Sequence, residues 1–266
     1  MKRPVRSILL AAGLLAGPAG ALAQTAEDHI RLGVAAHDAF DPVAELREIE
    51  AALAIDSLSY VANWRASEAL MDIGKQTPDS VPSPERDSAY ARAEVYARRA
   101  VALDSMGADG HYVLAAAIGR ASLTKSKKER VRRASEIRAE ALRAIALDSN
   151  YDKAYHVLGR WNAEIMRLSG LTRFFAKTFL GAKIFHAASW DSAVVYMDKA
   201  VALAPQSLYH HLDLAEILID LGRYREARIH LNQVLTLSPD DVMAPTYKAR
   251  AEFLLHDIEG KEDRGD

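Results

Sequence analysis

Ala200-Val-Ala-Leu-Ala-Pro205 and Val234-Leu-Thr-Leu-Ser-Pro239 are one phrase written twice, 34 residues apart. Small and aliphatic residues closed by a proline mark the end of an amphipathic helix followed by a helix stop. Three more copies close on Asp-Ser: Ala52-Leu-Ala-Ile-Asp-Ser57, Ala100-Val-Ala-Leu-Asp-Ser105 and Ala144-Ile-Ala-Leu-Asp-Ser149. Asp and Ser side chains compete for backbone hydrogen bonds, so they stop one helix and are expected to begin capping the next. Five stops, two of them at the period of a tetratricopeptide repeat, predict an all-α chain of about five helical hairpins stacked into a right-handed superhelix.

Reading back from each stop fills in the hairpins. Leu32-Gly33, Leu114-Ala115, Leu158-Gly159 and Leu214-Ala215 put a large residue and then a small one where the first helix must approach the second closely. Ser67 takes the small place in the second copy. In the second helices Ala93, Ala97 and Ala100, then Ala193, Met197 and Ala200, then Ala227, Leu231 and Val234 recur four and three apart on one face. Gly222 and Tyr224 are expected to make the last turn. The hairpins are placed at about 26–57, 58–105, 106–149, 150–205 and 206–239, with a capping helix at 243–258 and a polar tail, 259–266, expected to fray.

The remaining stop-to-stop spacings, 48, 44 and 56, exceed 34 by 14, 10 and 22 residues. Each excess falls between the two helices of a hairpin. Lys75 to Asp87, holding Pro78, Pro82 and Pro84, reads as a surface loop. The basic stretch from Lys125 to Arg133 reads as an extended, solvated start to a helix. Leu168 to Ser189 is a Phe-rich insert.

The N-terminus carries an export signal by pattern. Lys2, Arg3 and Arg6 precede a short apolar core, Ile8 to Gly17, and then Ala21-Leu22-Ala23. The core is far shorter than the roughly 20 residues of a spanning helix. Cleavage is expected after Ala23, in a periplasmic or secreted chain that begins at Gln24. Removing three basic residues leaves 31 against 36 acids, a formal charge of −5, which speaks against a general nucleic-acid binder. There is no cysteine, so export here does not bring disulfides and stability rests on packing.

No Gly-rich phosphate loop is present, and none of the nine histidines has a histidine four residues on. His210 and His211 point apart on a helix. These patterns predict a non-catalytic chain with no cofactor and no dedicated metal site.

The order His156-Val-Leu-Gly-Arg-Trp161, Leu168-Ser-Gly-Leu171, Phe179-Leu-Gly181 and a second helix from Trp190 to Leu203 resembles the regulator of microtubule dynamics proteins. Asn63-Trp64-Arg65 and His111-Tyr112 are similar to two further signposts of that family. The resemblance covers most of the mature chain. It implies a tetratricopeptide-like fold with no enzymatic activity and, in eukaryotic members, association with microtubules and organelle membranes. The export signal is a departure from those members.

The repeat register places Ile30, Trp64, Tyr112, His156 and Leu212 on the concave face, with Glu68, Arg120, Arg160, Glu164 and Glu216 beside them. Aromatic anchors among fixed charges suit a protein or peptide ligand. The packing alternative is that Trp64 and Tyr112 only fill space between repeats and that Arg160 pairs with Glu164. In the insert, Phe174, Phe175, Phe179 and Phe185 stand among Arg173, Lys177 and Lys183. That combination suits a lid over a lipid or other apolar molecule, or peripheral contact with an anionic membrane. It equally suits a segment that fills the superhelix and snorkels its charges.

Overall fold

The computed structural model describes residues 24–122, 125–168 and 187–264. Among these, eleven α-helices and no strand occur: α1 Ala26–Asp38, α2 Pro42–Ile55, α3 Tyr60–Lys75, α4 Pro84–Leu103, α5 Ala108–Ala121, α6 Lys127–Leu147, α7 Asp152–Arg167, α8 Trp190–Leu203, α9 Leu208–Leu221, α10 Tyr224–Thr236 and α11 Ala244–Asp257. Consecutive helices pack as antiparallel hairpins and each hairpin stacks on the next, with α11 closing the array. No described helix is long and apolar enough to cross a membrane.

The recurrent phrase works through a specific turn. Asp56, Asp104 and Asp148 each accept, at 2.8–3.0 Å, the backbone N–H two residues on. That side-chain turn competes with the next helical turn and ends α2, α4 and α6. It does not cap the following helix as expected; α3 is capped by Ser59, and α5 and α7 have no side-chain cap. A second recurrence ties each turn down. Asn63, His111, Tyr155 and His211 reach back six residues to the carbonyls of Ser57, Ser105, Ser149 and Pro205.

Small residues permit the helix contacts. A Cβ on Gly33 would lie 2.6 Å from Ile49, and one on Gly159 would lie 2.9 Å from Met197 and 3.3 Å from the Ala193 carbonyl. Ala115 and Ala215 are fully buried. Gly222 adopts φ 77° as the C-cap of α9, where any other residue would be strained.

Two boundaries differ from expectation. The loop after α3 ends at Ser83, because Pro84 occupies the first helical position of α4, where a missing N–H costs nothing. The C-terminal tail does not fray over its described part. Arg264 N–H donates to the Gly222 carbonyl at 3.1 Å, its guanidinium reaches the Tyr224 hydroxyl, and Asp263 accepts from Arg225 N–H. The tail supplies partners to a helix start that has no cap of its own.

Candidate functional site

The first helices of the hairpins present one face to a shared cavity of about 760 Å³. Its ends are drawn together by two ion pairs that skip repeats, Lys153 with Glu68 and Lys75 with Asp241. Lys153 on α7 lies 2.7 Å from Glu68 on α3, and Lys75 on α3 lies 2.9 Å from Asp72 and 2.5 Å from Asp241, in the loop before α11. Burial pushes the Glu68 carboxyl up, but the Lys153 ammonium holds it below its usual range.

Of the residues placed on the concave face by register, Glu68, Tyr112, Arg120, His156, Arg160, Glu164 and Leu212 line this cavity. Trp64, Ile30 and Glu216 do not. Trp64 sits one turn before Glu68 and packs half-buried against the core around Leu70 and Val113, under the Arg65 guanidinium, so it fills space between helices. Ile30 packs beside Ile49, and Glu216 pairs with Arg250. Phe174, Phe175, Phe179 and the rest of the insert from Ser169 to His186 lie outside the described residues, as does the N-terminal segment 1–23.

Three phenols line the cavity from α5, α9 and α11: Tyr112, Tyr209 and Tyr247. Tyr112 stacks on Tyr151 with centroids 5.3 Å apart, and Tyr209 stands 6.5 Å from Tyr247. Their rings are half-buried, while their hydroxyls make no hydrogen bond to any described residue. Burial raises the Tyr112 phenol to about 12, so it remains a donor at neutral pH. Arg120 is loosely held, 3.7 Å from Asp79. Tyr209 and Tyr247 carry no motif that a sequence reading would single out, and they stand at different distances from their turns than Tyr112 does.

Arg160 is committed inside the protein. Its Nη1 lies 3.0 Å from both carboxylate oxygens of Asp213 on the neighbouring hairpin, and Glu164 is farther, at 3.6 Å. Asp213 also meets His156 Nε2 at 2.9 Å; His156 Nδ1 meets His210 Nδ1 at 2.9 Å; and His210 Nε2 meets Asp152 at 2.8 Å. Three hydrogen bonds between two carboxylates and two imidazoles need three protons, one more than two neutral rings carry. Burial lowers His156 to about 4, and Asp213 is held well below its ordinary range by Arg160 and His156 against the effect of burial. A second ring pair, His211 Nδ1 to His230 Nδ1 at 2.9 Å, ties α9 to α10.

At the far end of the cavity, His37, Glu45 and Glu68 converge from α1, α2 and α3. His37 Nδ1 is 3.0 Å from Glu45 Oε2, and Glu45 is fully buried. Burial raises the Glu45 carboxyl, and His37 is raised by its bond to Glu45. No spacing within one helix could reveal this group, since it takes one side chain from each of three.

A superhelix of paired helices with a lined concave cavity defines a tetratricopeptide-like repeat protein. A thermophilic TPR protein of Thermus thermophilus, TTC0263, superposes with a TM-score of 0.63 at 17% identity, covering 86% of this chain and 100% of its own. PilF of Pseudomonas aeruginosa gives 0.51 at 15% identity over 88% and 86%. These likenesses show the fold. Residues 37–259 match the model of the regulator of microtubule dynamics protein 1-3 family, and the chain belongs to that family. No curated protein is significantly similar in sequence.

Proposed function

We propose that the chain is a non-catalytic scaffold that holds a peptide or protein segment in its concave cavity. The observation that carries this reading is the set of hydroxyls of Tyr112, Tyr209 and Tyr247, unpartnered among the described residues, which line the cavity from α5, α9 and α11. An extended polypeptide offers backbone carbonyls and N–H groups at a regular rise, which phenols can meet as donors or acceptors while their rings cover side chains. The Arg160–Asp213 and Lys75–Asp241 ion pairs are satisfied internally, so they fix shape and leave contact with a polypeptide to the phenols and Arg120.

The rival reading, a carrier of a lipid or other apolar molecule, rests on the Phe-rich insert. Export is also proposed here, from the basic, apolar and small-residue order of residues 1–23. The family name points to microtubules, which an exported chain would not meet; the scaffold reading is therefore stated for a polypeptide partner in the exported compartment. N-terminal sequencing of native protein should begin at Gln24, and recovery of full-length, soluble cytoplasmic protein with Met1 intact would overturn export. A photo-crosslinking residue at Tyr209, with one at the exposed Val195 as control, tests the occupant. Polypeptide adducts specific to position 209 are expected. Lipid adducts there, or equal labelling at both positions, would sink the scaffold reading.

A further inference from the structure

We propose that His37, Glu45 and Glu68 form a binding site for a divalent transition-metal ion of the zinc class. The inference does not depend on what fills the rest of the cavity. One imidazole nitrogen and two carboxylate oxygens converge from three helices, with their ligand atoms all within 4.8 Å of one another. An ion bound at about 2.0–2.1 Å to each donor needs them roughly 3.3 Å apart. His37 and Glu45 already stand 3.0 Å apart. Closing the set onto Glu68 therefore takes an ångström or so of side-chain movement and leaves the three helices in place.

A second feature points to a missing partner. Glu45 is fully buried, and its Oε1 accepts no hydrogen bond; the nearest cation, Arg65 Nη1, stands off at 3.9 Å. A buried carboxylate oxygen is costly to leave unpaired, and this one belongs to the converging group. Glu68 spends Oε1 on Lys153. The Lys153 side chain is 36% exposed and faces the cavity, so it can withdraw when a dication takes its place.

The donor set selects the class of ion. Calcium and magnesium prefer all-oxygen shells, whereas a mixed shell of imidazole and carboxylate suits a first-row transition ion. His37 is about a third exposed and opens on the cavity, which leaves a coordination position for water or for an acidic group of the cavity's occupant.

The test is calorimetric titration of chelator-treated, full-length protein with zinc chloride, paired with the visible spectrum of the cobalt(II) form. One tight equivalent is expected. His37→Gln and Glu45→Gln should each weaken it by at least about 10-fold, the lower bound for disturbing a metal's ligand environment, and should abolish the cobalt spectrum. His256→Ala, at an exposed histidine on α11, should change neither. Wild-type protein that fails to bind, or binding and spectrum that survive in His37→Gln with a native circular dichroism signal, would overturn the proposal. His37→Gln removes a partly exposed donor, so a folding failure of Glu45→Gln does not remove the test.

Discussion

Arg160 and Asp213 face each other across adjacent hairpins, with Nη1 equidistant, at 3.0 Å, from both carboxylate oxygens. The Asp213 side chain is 12% exposed and also serves His156, so the pair anchors a buried chain of charge. Arg160→Gln should destabilise the fold by about 1 kcal/mol, below the range for hydrogen bonds to charged groups because Arg160 itself is 42% exposed. A double-mutant cycle with Asp213→Asn should return a coupling energy well above zero. Additive thermal melts would show that the contact contributes nothing.

Gly159 lies where α7 packs tightly against α8. Gly159→Leu should cost about 3 kcal/mol or more, since its Cβ alone lands on Met197 and beside the Ala193 carbonyl. Gly159→Ala should cost less, because the Met197 methyl can swing aside. Thermal denaturation of the pair checks the order, and a Leu variant melting like the wild type would refute the register.

The hairpins are legible in the sequence because each depends on local chemistry: an aliphatic stripe, a small residue at the crossing and an Asp-Ser or Pro stop. Even there, the reach of Asn63, His111, Tyr155 and His211 back to the turn carbonyls leaves no readable motif, because four different residue types do one job at a constant offset of six. The cavity is half legible. Register puts Glu68, Tyr112, Arg120, His156 and Arg160 on it, but also Trp64, which packs half-buried against the core around Leu70 and Val113. The Arg160–Asp213 partnership over 53 positions depends on how neighbouring hairpins stack, and that of Lys75 with Asp241 over 166 depends on the curvature of the whole array. No local pattern encodes that curvature.

The described tail should prove part of the last hairpin. Arg264→Ala removes the side chain that lies against Gly222 and bonds the Tyr224 hydroxyl. Truncation after Glu259 also removes the carbonyl of Lys261 that accepts from Arg228 and the Asp263 acceptor for Arg225 N–H. Amide exchange over Arg223 to Arg228 should accelerate modestly in the first variant and clearly in the second. Unchanged exchange in both would return the tail to solvent.

Acid should loosen the two C-terminal hairpins before the rest. Burial lowers His156 and His230 to about 4, with the neighbouring His211 charge adding to the effect on His230, and burial also lowers His211. In the unfolded chain each returns to about 6.5. These groups are depressed in the fold, so the unfolded state binds more protons once the pH falls below about 6.5. Their contribution to stability is complete above that value and is lost as the pH falls, for His156 and His230 down to about pH 4, where those folded rings also charge. The slope is at most ~1.4 kcal/mol per pH unit for each imidazole. The His211–His230 bond explains the sensitivity: His211 Nε2 donates to the Pro205 carbonyl, so its Nδ1 must stay unprotonated to accept from His230. His230→Gln supplies a donor that cannot charge, and it should flatten the fall in melting temperature between pH 7 and 4.5. A slope identical to wild type would place the acid sensitivity elsewhere, with the His156–His210 pair as the remaining source.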